Sequence, residues 1–231
     1  MRKKIIIANA IMLPLILIFD ILYMINSELL SKSIASLMFV ITGIINFNYC
    51  TKNKINLKYP KWMLGALICT MLADILLVLN FYVGTIVFAI GHILYFTSYC
   101  NLEKIDKNDF KYGIIIGVFS LSIILFTPFL NFDNSIMKTI CCIYAIIISF
   151  MVGKTISNLR KENNSTNKII TIGSILFFIS DFMLMLDVFG GISVTGYLCL
   201  ATYYPAQFLL ALSIFIYGSN NLLEEERRNI A

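Results

Sequence analysis

Two carboxylates stand where carboxylates are costly. Asp74 lies in the apolar segment Ala73-Asp74-Ile75-Leu76-Leu77-Val78-Leu79-Asn80, and Asp181 lies in Ser180-Asp181-Phe182-Met183-Leu184-Met185-Leu186-Asp187. A charged side chain deep in a bilayer costs roughly 2.5–3.5 kcal/mol on insertion scales, so intramembrane acids mark sites or paired groups. The two segments align at an offset of 107 residues, and two acids at equivalent positions are expected to face a shared cavity rather than lipid. Carboxylates held close together cannot both ionise easily. One would keep its proton, giving an acid and a base in one site at neutral pH. The competing reading makes each acid a neutral hydrogen-bonding link between helices. Asp20 is a third acid within an apolar run, but the same offset lands on Thr127, and it is read as structural or interfacial.

Polar-tipped side chains accompany the acids. Phe88, His92, Tyr95 and Tyr99 recur at steps of four, three and four, which places them on one helix face. Tyr203 and Gln207 share a face further on, with Tyr204 beside them. Such groups can orient a carboxylate or a substrate oxygen, although tyrosine stripes also serve as packing or as an interfacial belt. Lys32 is read either as a contact for a lipid phosphate or as an ordinary interfacial lysine.

Other chemistries lack their residues. The sequence has no G-x-S-x-G elbow, P-loop, dinucleotide fingerprint or H-E-x-x-H pair. Its one histidine, His92, excludes a multi-histidine metal centre. The six cysteines form no C-x-x-C pair and fall mostly inside apolar runs, so they read as small hydrophobes. Neither metal nor cofactor is expected. The net charge of +5 comes from basic residues in short loops, which points to membrane topology and not to nucleic acid.

The elements that must position these groups are transmembrane helices. The chain is 59% hydrophobic and 13% charged, with a mean hydropathy of +0.84, and a soluble fold could not hide that much apolar surface. Apolar runs appear at about 5–25, 33–50, 62–80, 83–100, 112–130, 135–152, 168–187 and 195–217, each near the ~20 residues that cross a hydrocarbon core. The first run is read as a retained helix, since no small-x-small cleavage site follows it. Sixteen basic residues fall at one set of helix ends, and only Lys32 and Lys138 at the other. That asymmetry predicts cytoplasmic termini and an even helix count. The expected fold is all-α and polytopic: one membrane domain over 1–231, made of two four-helix repeats at about 1–104 and 105–231. An even count per half makes the repeats parallel. The Glu224–Arg228 run reads as a solvated tail.

Gly65-x8-Asp74-x-x-Leu77 followed by Gly91-His92-x-x-Tyr95 resembles the central signature of the lysoplasmalogenase-like (YhhN-type) membrane proteins. Gly173-x-x-x-Phe177-x-x-Ser180-Asp181, followed by Thr202-Tyr203-Tyr204-x-x-Gln207, is similar to the same pattern in the second half. The resemblance runs from about residue 30 to 215. Two positions depart from it: the family often opens its second helix with Lys-Pro, where this chain has Lys32-Ser33, and often has glycine where this chain has Ala73.

The resemblance implies hydrolysis of the vinyl-ether bond of a lysophospholipid substrate, giving a fatty aldehyde and a glycerophospho-alcohol, in a bacterial-type cell membrane. It casts Asp74 and Asp181 as the reacting carboxyls. Lys32, His92, Tyr95, Tyr203, Tyr204 and Gln207 become the groups that bind substrate or orient the acids. The partners expected are that substrate and membrane lipids. Parallel repeats with an acidic pair also fit a proton-coupled transporter of small molecules or lipids, and structural carboxylates fit a membrane scaffold.

Overall fold

A chain this apolar must satisfy its backbone polar groups within each spanning segment, and helices do so. The computed structural model describes residues 2–230 and is built from eight helices. They are α1 (Arg2–Asn26), α2 (Leu29–Lys52), α3 (Lys58–Leu79), α4 (Phe81–Cys100), α5 (Lys107–Phe126), α6 (Ser135–Lys161), α7 (Ser165–Val188) and α8 (Ser193–Ile230). All eight are long and apolar enough to cross a membrane, and the described residues contain no strand.

Several helices outrun their apolar cores. α5 begins at Lys107 because Asp106 and Asp109 form a reciprocal capping box at its N-terminus, which satisfies donors that a helix start otherwise leaves free. Asp106 is partly exposed, and its hydrogen bond with the Lys161 ammonium holds its carboxyl below the usual range. α6 runs nine residues past the expected end at 152. Its added turns bury Lys154 and Asn158, a polar stretch that hydropathy alone assigns to solvent. α8 continues through the Glu224–Arg228 run, which is helical and exposed. Pro14 and Pro205 lie within α1 and α8, and neither helix is interrupted there.

Consecutive helices pack as hairpins: α1 on α2, α3 on α4, α5 on α6 and α7 on α8. α2 also packs on α3 and α8, α6 on α7 and α4, and α8 on α1 and α3. Helix α3 does not pack directly on α7. Small residues set the closest approaches, as in membrane bundles generally. A Cβ on Gly84 would lie 2.4 Å from the Leu77 backbone, and one on Gly153 would lie 2.4 Å from the Gly113 nitrogen.

The polarity is inverted relative to a soluble protein. Ile114, Ile115, Val118 and Phe119 on α5 are each more than half exposed, while polar side chains join the helices inside. Asn9 and Asn46 exchange amide hydrogen bonds at 2.8 and 2.9 Å, and Asn46 also donates to the Ala211 carbonyl at 2.9 Å, tying α1 and α2 to α8. Asp20 departs from the interfacial expectation. It continues the stripe Asn9, Met12, Ile16 at helical spacing, the face that α1 buries. It is therefore 2% exposed, and its Oδ1 has no hydrogen-bond partner.

Candidate active site

Asp74 falls on the inward face of α3, with Tyr59, Met63, Ala66, Leu67, Thr70 and Ala73. Its carboxylate is 2% exposed. Oδ2 accepts from the Ser36 hydroxyl at 2.6 Å and from the Tyr203 phenol at 2.7 Å. Lys32 Nζ stands 3.9 Å from Oδ1. Lys32 is thus no ordinary interfacial lysine. It lies at the start of α2, folded inward, with its ammonium 5.4 Å from the centre of the Tyr23 ring. A buried ammonium needs a counter-charge, and Asp74 supplies it.

Asp181 occupies the corresponding place on α7, with its side chain 16% exposed. Its Oδ2 accepts from the Tyr144 phenol at 2.6 Å, and His92 Nε2 lies 3.2 Å away. The same Nε2 is 2.7 Å from the Tyr144 oxygen. A phenol has one proton; with it given to Asp181, the phenol oxygen must accept from His92 Nε2–H. The other ring nitrogen, Nδ1, stands 3.3 Å from the Met151 sulfur. Among the described residues nothing donates to Oδ1 of Asp181.

A third group of polar side chains backs the pair. Tyr95 donates to the Gln207 carbonyl oxygen at 2.6 Å, and Gln207 Nε2 donates to the Tyr203 phenol at 3.0 Å. The chain Tyr95–Gln207–Tyr203–Asp74 thus runs from α4 through α8 to α3. Phe88, Phe177 and Tyr203 meet edge to face around it. Each ring fixes its neighbour, which leaves the phenol of Tyr203 little rotational freedom.

Both carboxylates line one cavity of about 400 Å³, shared with Lys32, Tyr144, Tyr203 and Phe88. The expected convergence of Asp74 and Asp181 is therefore present. The other expected site residues divide. Lys32 and Tyr203 reach the cavity wall. His92, Tyr95, Tyr204 and Gln207 lie behind it, His92 against Asp181 and Gln207 against Tyr203. The Tyr204 phenol sits 3.4 Å from both the Ser36 hydroxyl and the Lys32 carbonyl. Tyr99, on the same stripe as His92, leaves the site and meets the Ser174 hydroxyl at 2.8 Å. Among the described residues no group of three or more histidine, cysteine or acidic side chains is placed to hold a metal ion.

Sequence reasoning missed Ser36 and Tyr144. Each is the hydroxyl that caps one carboxylate, on α2 and on α6. A signal existed: the 107-residue offset carries Ser36 to position 143, one residue short of Tyr144.

The arrangement holds two carboxyls in a largely apolar cavity, one balanced by an ammonium and the other carrying a free oxygen. It suits proton transfer to a substrate and stabilisation of a developing cation. The sequence model of the YhhN family matches residues 27–214. No solved structure matches the chain.

Proposed function

The chain belongs to the YhhN family, which includes lysoplasmalogenases, and on that premise we propose that it is a membrane hydrolase of the vinyl-ether bond of lysoplasmalogens. The observation that carries the reading is the pair of differently partnered carboxyls on one apolar cavity. Vinyl-ether hydrolysis starts with a proton delivered to the alkene carbon away from oxygen, which leaves an oxocarbenium ion. Water adds to the cationic carbon, gives up a proton to a base, and the hemiacetal splits into aldehyde and alcohol. Glycosidases handle a related cation with two carboxyl groups.

Asp181 is assigned as the acid. Its Oδ2 accepts from Tyr144, which leaves Oδ1 as the oxygen free to present a proton to substrate. Asp74 is the carboxylate. Two hydroxyls donate to its Oδ2 and the Lys32 ammonium stands beside its Oδ1; as a carboxylate it stabilises the cation and takes the proton of the attacking water. Tyr144 and His92 orient Asp181, and Tyr95 and Gln207 orient Tyr203. Tyr204, packed against Ser36, supports the donor side of Asp74. The apolar remainder of the cavity receives the alkenyl chain.

The repeat supports this division of labour. Each aspartate takes one hydroxyl from the second helix of its own half, Ser36 or Tyr144. Each takes a second partner from the last helix of the other half, Tyr203 or His92. Tyr95 and Gln207, which correspond when His92–Phe96 is laid on Tyr204–Phe208 with the second outer loop five residues longer, bond directly to each other, as residues at an axis between two halves would. We therefore read the protein as a single membrane domain of two parallel four-helix repeats, with both termini cytoplasmic as the basic residues demand. Transport is less well served, since the helices bearing the acids and their partners lack the unwound stretch that midplane sites of transporters use.

The test is aldehyde release. Protein purified in a maltoside detergent is expected to convert ethanolamine and choline lysoplasmalogens to free aldehyde, with one water consumed per ether cleaved. No aldehyde from monodisperse protein, with either head group and across several pH values, would sink the proposal. Within it, Tyr144→Phe keeps the ring and removes the hydrogen bond to Asp181. It is expected to lower kcat by about 10- to 100-fold, the scale of one hydrogen bond to an ionisable group, with KM little changed. An unchanged kcat would show that the phenol only packs.

A further inference from the structure

We propose that Asp187 is a binding site for the cationic nitrogen of the substrate head group, at the outer end of the cavity and about one and two-thirds turns beyond Asp181. The choice of ligand rests on the ether-hydrolase reading; the site itself is tested by binding. Asp187 lines the same cavity as Asp74 and Asp181. It lies in the last turn of α7, where the helix dipole disfavours negative charge, so its own helix gives no reason for it. Among the described residues its carboxylate accepts no hydrogen bond, and no basic side chain stands within ion-pair distance. The half-buried carboxylate thus lines the cavity with no protein partner.

A glycine lets the carboxylate lie close against α8. Gly196, in the first turns of α8, also lines the cavity, and a Cβ there would lie 2.7 Å from Asp187 Oδ2. The aromatic rings of Tyr23, Phe81, Phe189 and Tyr197 line the same cavity, and ring faces attract ammonium groups. The charge count points the same way. Lys32 is matched by Asp74, so a purely anionic head group would meet Asp187 unscreened, whereas a phosphate followed by an ammonium offers that carboxylate a counter-ion.

The reach fits. Six residues of helix separate Asp187 from Asp181, about 9 Å at the helical rise. Nine bonds separate the ether oxygen of a lysoplasmalogen from its head-group nitrogen, about 11 Å at the advance per bond of an extended chain. A slightly bent head group spans the two carboxyls.

The experiment measures binding, with no turnover needed. Wild type, Asp187→Asn and Asp187→Glu are titrated in maltoside micelles with two saturated ethers of equal chain length, an alkyl-glycerophosphocholine and an alkyl-glycerophosphate. Wild type is expected to favour the phosphocholine. Asp187→Asn should lose roughly tenfold in phosphocholine affinity, the scale of one charge-assisted contact, and bind the phosphate as well as or better than wild type. Asp187→Glu should keep the preference. Three results would overturn the proposal: no preference in wild type, equal weakening of both ligands in Asp187→Asn, or a lower Tm with the preference intact. The last would mean that Asp187 only balances the start of α8. A lost preference in Asp187→Asn, with no aldehyde from wild type on true lysoplasmalogen, would leave this site standing and remove the hydrolase reading.

Discussion

Asp181→Asn is expected to cut aldehyde release by about a thousandfold, within the span that general acid catalysis contributes, while leaving the folded protein as stable as wild type. The asparagine side chain has the same shape, and its carbonyl oxygen can still accept from Tyr144, so the hydrogen bond at 2.6 Å survives. What it lacks is an acidic proton to deliver to the alkene carbon. Asp74→Asn should lose activity on a similar scale for a different reason, and here stability should fall as well. Removing the charge leaves the Lys32 ammonium, 3.9 Å away and buried, without its counter-ion. Breaking one side of a buried pair costs far more than the pair itself contributes. The pair Lys32→Met with Asp74→Asn should then regain much of the lost Tm and none of the activity. Thermal unfolding in detergent, read beside aldehyde release, separates these cases. If both single variants kept wild-type turnover, the acids would be structural links and the chemistry would lie elsewhere. If Asp181→Asn unfolded the protein, its role would be packing.

The elements were legible because the bilayer imposes one length and one polarity on every span. All eight apolar runs are helices, and the even count inferred from basic residues such as Lys52, Lys104 and Lys154 agrees with them. The paired acids were legible because a carboxylate in apolar sequence has few explanations, and two at a fixed offset have fewer. The lining of the site was harder to read. Ser36 and Tyr144 are small or amphipathic residues that occur throughout membrane helices, and only the bonds to Asp74 and Asp181 distinguish them. Tyr99 shares a stripe with His92, yet one further turn along α4 it bonds to Ser174. Periodicity gives the face a residue occupies and says nothing of what stands opposite. Lys32 shows the same limit, since its charge left a lipid-phosphate contact and an interfacial place both open, and its reach to Asp74 depends on how α2 and α3 are set together.

The largest stability effect is expected far from the cavity. Lys154 is fully buried in the extended end of α6, and its ammonium lies 2.8 Å from Asp109 Oδ2 and 3.0 Å from the Lys104 carbonyl. Asp109 is 2% exposed, and its Oδ1 has no partner. Lys154→Met removes one charge and leaves the other carboxylate buried, at an expected cost of about 3–5 kcal/mol. Asp109 also accepts from the Asp106 backbone in the capping box of α5, so the loss would loosen the start of that helix. Lys154→Met with Asp109→Asn should recover most of the deficit. An amide retains the capping acceptor and no longer demands a cation, and apolar or neutral replacements of buried pairs are often neutral. Since among the described residues α5 packs on α6 alone, the damage in the single variant should concentrate there. Hydrogen exchange should speed up across Lys107–Ile116 before it does in α3 or α7, and a variant losing protection uniformly would show that the ion pair fastens the whole bundle and not this one hairpin.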